Sequence, residues 1–168
     1  MYNRRIDQIQ VKKETEAAKI YEIMTIFADS FHNEYIADDK NRKEYANKIL
    51  KDGIFLTAYY HENPAGMACG YMNDMETKCA YVSFLGIEEE IGLLKGFVLA
   101  KLLAEGSKYG RERGMERIRL EVYKVNKHAY KLYRKLGFID TGEASVDSVS
   151  MEMEFDRLDQ CRELIDTQ

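Results

Sequence analysis

The chain has 168 residues, of which 45% are hydrophobic and 32% charged, a composition that fits one folded domain and excludes a disordered or fibrous chain. Twenty-nine acidic against 25 basic side chains leave a formal charge of −4, so no overall basic field points to nucleic acid; a mildly acidic protein suits a cationic amine better than an anion. The opening MYNRRIDQIQ has no apolar signal core and no stretch approaches 18 apolar residues, so the reading is a cytoplasmic protein without membrane contact. Cys69, Cys79 and Cys161 form an odd set without C-x-x-C spacing, which reads as reduced thiols rather than disulfides or a zinc site.

In chain order, a first strand is expected around Ile6 to Val11. Thr15 offers a helix cap, and Ile20, Ile23, Met24, Phe27 and Phe31 follow at helical spacing, which predicts an amphipathic helix from Ala17 to about His32. A second helix is expected from Asp38 or Asp39 through Tyr45, Ile49 and Leu50 to a stop at Gly53. Ile54 to Tyr60 reads as a strand, Asn63-Pro64-Ala65-Gly66 as a hairpin turn, and Gly66 to about Asp74 as the returning strand. Cys79 to Ile87 is a third strand of this run.

From Ile91 the period becomes helical, with Leu94, Val98 and Leu102 on one stripe and Leu99 and Leu103 beside it. Gly114 is the expected end, after Arg111 and Arg113, whose charges suit a helix C-terminus. Ile118 to Tyr123 alternates as a strand, and Asn126 to Leu136 is a short helix closed by Gly137. Two strands follow, from Phe138 and over Ser148 to Phe155, and 156–168 reads as a short helix or frayed tail. The order β-α-α-β-β-β-α-β-α-β-β argues for an α/β fold with a mixed sheet and helices on both faces. No repeat or linker divides the chain, so residues 1–168 read as a single domain.

The segment from Gly114 to Phe138 carries the most specific pattern. Asn126, Ala129, Leu132, Tyr133, Lys135, Gly137 and Phe138 match N-x-x-A-x-x-L-Y-x-K-x-G-F directly after a strand. Most of it has a structural account: Asn126 caps the helix, Gly137 takes positive φ behind it, and Phe138 buries a ring at the next strand. Tyr133 is explained only in part, because a leucine would fill the same apolar position without a hydroxyl to satisfy.

This pattern and the element order resemble the GNAT superfamily of acyl-CoA-dependent N-acyltransferases. The resemblance implies the GNAT fold, a mostly antiparallel mixed sheet, with acetyl-CoA as cosubstrate and no metal. It implies an N-acetyltransferase in which a primary amine, on a small molecule or a peptide, attacks the thioester directly. Tyr133 then corresponds to the tyrosine that protonates the departing thiolate, and Asn126 to the asparagine that contacts the pantetheine or pyrophosphate arm. Leu85 and Ile87, around Gly86, lie where the family's strand splays and pairs with the pantetheine. Many small members pair as homodimers.

One segment departs from the pattern. The family's Q/R-x-x-G-x-G/A loop cradles pyrophosphate at a helix N-terminus. Here Glu90 to Ala100 reads EIGLLKGFVLA: one register puts Lys95, Phe97 and Leu99 at the glycine positions, and a slide by one residue places Lys95 and Ala100 well but Val98 at the central glycine. Two readings follow. Gly92, Lys95 and Gly96 form a workable turn, with Lys95 facing phosphate; or Phe97, Val98 and Leu99 block the cradle, leaving a GNAT-fold binding or regulatory module without turnover. Tyr81, Ser83, Glu121 and the Glu88-Glu89-Glu90 run all lie where a general base is sought, and none stands out from a solvated or structural role. His32, His61 and His128 show no metal spacing, and no G-x-G-x-x-G or G-x-x-x-x-G-K-S/T follows a strand.

Overall fold

A computed structural model describes residues 5–166, with side chains described as far as Gln160. Thr167, Gln168 and the side chain of Cys161 lie outside the described residues. Seven strands follow the order β1-β2-β3-β4-β5-β7-β6. They are β1 (Ile9–Lys13), β2 (Ile54–Tyr60), β3 (Asn63–Tyr71), β4 (Cys79–Ile87), β5 (Arg117–Tyr123), β6 (Ile139–Glu143) and β7 (Ser148–Glu154). The helices are α1 (Ala17–Phe27), α2 (Glu34–Ala37), α3 (Asp39–Asp52), α4 (Lys95–Glu112), α5 (Lys127–Leu136) and α6 (Phe155–Asp166). Antiparallel pairs join β1 to β2, β2 to β3, β5 to β7 and β6 to β7, while β4 runs parallel to β5 over Cys79–Tyr81. The sheet is therefore mixed and mostly antiparallel, as the sequence reading expects.

The chain divides into two compact units, Met1–Tyr71 with Ser83–Leu102, and Met72–Val82 with Leu103–Gln168. In the first, the apolar stripe of α1 (Ile20, Ile23, Met24, Phe27) packs with Tyr45, Ala46 and Ile49 of α3 and with Phe55, Met67 and Cys69 of the strands. Burying each large side chain of this kind contributes roughly 1.5–3 kcal/mol. The residues Ile54 to Ala58 of β2 are all buried. On β3 the absence of a side chain at Gly66 makes room for α4, since a Cβ there would lie 2.8 Å from Val98 Cγ1. In the second unit β5 alternates cleanly, with Ile118, Leu120 and Val122 buried and Arg119, Glu121 and Tyr123 exposed. Its core adds Met115, Phe138, Met151, Met153, Phe155 and Leu158.

Several boundaries differ from the sequence reading. The first strand occupies Ile9–Lys13 rather than Ile6 to Val11, because its register with β2 runs from Ile9 opposite Tyr60 to Lys13 opposite Leu56. Helix α1 is preceded by Glu16, not capped by Thr15, and it ends at Phe27. There the Ser30 hydroxyl donates to the Phe27 carbonyl at 2.6 Å, a 3-10 turn covers Ala28–Phe31, and His32 takes φ 48°. The hairpin turns at His61 and Glu62, with φ of 50° and 66°. Positive φ at both central residues is the signature of a type I′ turn. Asn63 and Pro64 already belong to β3, and the register shifts between Ala58 and Tyr59, opposite the proline that has no N–H to donate.

Candidate functional site

In the first unit the candidate residues lie on the end of β4 and the start of α4. Ser83, Phe84, Leu85 and Ile87 are part exposed although β4 is central in the strand order. Gly86 between them is buried, and a Cβ there would meet Phe27 at 3.0 Å, so this glycine has a packing reason of its own. The Glu88 N–H donates to the Ala65 carbonyl at 2.9 Å.

A 3-10 segment, Glu89–Leu94, then leads into α4. Within it Gly92 takes φ 62° and ψ −125°, a conformation that residues with a Cβ avoid. The turn closes when the Lys95 N–H donates to the Gly92 carbonyl. Leu94, Val98, Leu99 and Ala100 are buried, Val98 and Leu99 completely, whereas Lys95, Gly96 and Phe97 are part exposed. A Cβ on Gly92 or Gly96 would meet no atom within 4 Å. The bulky Val98 and Leu99 therefore fill the core instead of the space in front of the helix, and of the first-turn N–H groups that this 18-residue helix itself leaves unpaired, that of Lys95 is taken by Gly92. Lys95 Nζ pairs with Glu89 Oε2 at 2.6 Å.

Also in this unit, the Phe84 ring meets Phe31 at a tilt (ring centroids 5.0 Å apart) and Tyr45 edge-on (5.3 Å). The Tyr45 hydroxyl lies 3.8 Å from Cys69 Sγ. Burial raises the Tyr45 phenol far above its ordinary range and pushes the Cys69 thiol up to about 12, so Cys69 is an inert thiol and not a nucleophile. The Tyr71 hydroxyl is buried with no hydrogen-bond partner among the described residues. Sequence reasoning missed this aromatic group, because its members come from the 3-10 turn after α1, α3, β3 and β4 and share no spacing.

In the second unit, β5 delivers the chain to α5. Asn126 caps the helix, its Oδ1 accepting the Ala129 N–H at 3.1 Å, and its own N–H donates to the Tyr123 carbonyl at 2.9 Å. Gly137, at φ 108°, closes the helix with its N–H directed to the Arg134 and Tyr133 carbonyls. The Tyr133 ring meets the buried Phe138 edge-on, with centroids 5.6 Å apart. No side chain among the described residues hydrogen-bonds the Tyr133 hydroxyl, and desolvation raises it to about 12. Tyr130 on the same helix donates to Asp140 Oδ2 at 3.2 Å. Of the base candidates, Glu121 stands beside Tyr81, whose phenol is raised by burial first and by that carboxylate second.

Sequence-proposed residues thus fall in two sets: Leu85, Ile87, Lys95, Gly96 and Ala100 in one unit, Asn126 and Tyr133 in the other. Among the described residues no three His, Cys, Asp or Glu side chains gather as a metal site would require, and no helix is long and apolar enough to cross a membrane.

The model of the acetyltransferase (GNAT) family matches residues 20–138, more than half of the chain. The chain belongs to that family, and the chemistry of its class is acyl transfer, with acetyl-CoA the family's acyl donor. Solved structures similar to it include the spermidine/spermine N-acetyltransferase SpeG from Vibrio cholerae, at 18% identity and TM-score 0.69, covering 93% of this chain and 99% of that one. The PaiA N-acetyltransferase from Thermoplasma acidophilum, in complex with coenzyme A, is 21% identical with TM-score 0.65, covering 87% and 98%. A GNAT acetyltransferase from Streptococcus pneumoniae is 18% identical with TM-score 0.63, covering 87% and 98%. At these identities the likeness is one of fold. No curated protein sequence is significantly similar to this chain.

Proposed function

We propose that this chain is an acetyl-CoA-dependent N-acetyltransferase, a single cytoplasmic domain acting on a primary amine of a small molecule or peptide by direct attack on the thioester. The observation that carries the reading is the start of α4. Gly92 turns the backbone, Val98 and Leu99 point into the core, and the space beside Gly96 is open, which supports a helix N-terminus that takes phosphate oxygens despite its missing glycines, with Phe97 the one bulky residue of the three left part exposed beside it. Lys95 and Gly96 would face the pyrophosphate, with Ala100 the small residue behind them. Leu85 and Ile87 would lie along the pantetheine, and Asn126 would keep the cofactor-contacting role that the family resemblance gives it. The buried free thiols Cys69 and Cys79 suit a reducing compartment.

Tyr133 is the group proposed to meet the leaving sulfur. An alkyl thiol titrates near roughly 8.5, so complete transfer from a phenol at about 12 would be uphill by about 5 kcal/mol. Its role is therefore a hydrogen bond to the sulfur as negative charge develops there, which lowers the barrier without requiring a free tyrosinate. Water carries the amine's proton away in this scheme, since no carboxylate has a geometry that singles it out as the base.

A binding module without turnover is the second reading, favoured by the 2.6 Å pair that commits Lys95 to Glu89. Two measurements separate them. Acetyl-CoA well above any plausible Kd must raise Tm if it binds the folded chain, and no rise at millimolar concentration sinks the enzyme. Given a rise, a panel of amines assayed for free CoA release distinguishes turnover from binding.

A further inference from the structure

Helix α5 carries a second feature, to which the proposed acyl transfer assigns no role. Lys127, Lys131, Arg134 and Lys135 are all exposed, and at 100° per residue they fall with His128 within an arc of roughly 120°, opposite Ala129, Leu132, Tyr133 and Leu136. From Val122 to Ile139 there is no acidic residue. None of these four cations has an ion pair or hydrogen bond among the described residues. Of the carboxylates nearby, Asp140 accepts from the Tyr130 hydroxyl and the Gly142 N–H, Glu143 pairs with Lys124, and only the exposed Asp147 carboxylate at the rim has no partner among the described residues. In a chain of net charge −4, removing these four leaves 21 basic against 29 acidic residues, or −8, so the face is a local positive patch on a negative protein.

Two exposed valines flank it. Val125, 90% exposed, directly precedes the helix cap, and Val146, 85% exposed, sits on the β6–β7 turn. The two segments adjoin, since the Lys124 N–H donates to the Asp147 carbonyl at 2.8 Å. Cations alone would suit any anion, but exposed single cations hold a small ion weakly in water. A long polyanion would run off a face about 12 Å long onto a surface of net negative charge. Apolar side chains bordering a charged face are the composition of a protein interface.

We infer that the cationic face of α5, bordered by Val125 and Val146, docks an acidic protein segment that carries carboxylates at helical spacing and an apolar side chain beside them. The inference goes beyond acetyl transfer and does not require turnover, so its test reads binding only.

The probe is a fluorescent amphipathic peptide of about 18 residues with glutamates on one face and leucines flanking it, followed by anisotropy at low and at moderate salt. The peptide is expected to bind, and more weakly as salt rises. The combined variant Lys127→Gln, Lys131→Gln, Arg134→Gln and Lys135→Gln should bind at least about tenfold more weakly, and Val125→Ser with Val146→Ser several-fold more weakly. Tm of both variants should stay close to the parent's, because every altered side chain is exposed. Absence of peptide binding, or equal binding by both variants, overturns the proposal. So does tighter binding of a single-stranded DNA oligonucleotide of similar length, or displacement of the peptide by adenosine 3′,5′-bisphosphate, which would make the face a nucleotide site. Amide shift mapping on the unaltered chain decides the matter should a variant fail to fold: peptide-induced shifts must cluster in residues 124–135 and 145–147, and shifts elsewhere overturn it.

Discussion

The starts of α4 and α5 have the same task in outline, each receiving the chain from a strand and opening a helix, yet they are built by opposite means. At α5 the work is local. Asn126 caps through its own side chain, Gly137 closes the helix eleven residues on, and none of the helix's residues is fully buried. At α4 no side chain caps the entry; a glycine at φ 62° turns the backbone, and core burial of Leu94, Val98 and Leu99 fixes which residues face outward. A locally built helix start writes itself into the sequence as a motif. One held by packing needs only apolar residues at the right period, and many sequences supply those.

The largest effect expected from breaking this contrast is at Leu99. Leu99→Ala removes a fully buried side chain and should cost about 2–5 kcal/mol of stability, read by urea unfolding. At α5 the largest effect should be catalytic instead. Tyr133→Phe is expected to lower kcat by about 100-fold or more while leaving the acetyl-CoA-induced rise in Tm nearly intact, and unchanged kcat would remove the proposed hydrogen bond to sulfur. Gly92→Ala forces a side chain into a conformation costing about 1–3 kcal/mol. It should also reduce the Tm rise given by acetyl-CoA, and an unaltered rise would show that the turn does not hold the cofactor.

Asn126→Ala should cost about 1 kcal/mol through the lost cap, and Asn126→Asp should restore most of it. The smallest effect is alkaline. Burial raises Cys69 from 9.0 to about 12, so the unfolded chain releases this proton first and stability falls as pH rises from about 9 towards 12. Between pH 8 and 9.5 the loss from Cys69 should stay under about 1 kcal/mol, and Cys69→Ala should flatten the pH slope of the unfolding midpoint.

The same contrast separates what was readable from what was not. Residues 79–87 are legible as a strand to the residue, because apolar and β-branched side chains run continuously between polar turns. The hairpin was not, since His61 and Glu62 adopt positive φ without the Asn-Gly signature of such turns, while Asn63-Pro64 imitates a turn inside β3. The end of α1 at Phe27 was equally hidden, for Phe31 keeps the helical period although Ala28–Phe31 has tightened to a 3-10 turn.

By itself the sequence determined the element order apart from the short α2, the α5 motif from Asn126 to Phe138 and, through them, the family, because caps, glycine stops and alternation act over a few residues. Only the tertiary structure decided that Val98 and Leu99 face the core and leave the start of α4 open, and that Phe31, Tyr45, Tyr71 and Phe84 gather beside Cys69. Those facts depend on which surfaces meet when distant segments pack, and spacing along the chain does not encode them.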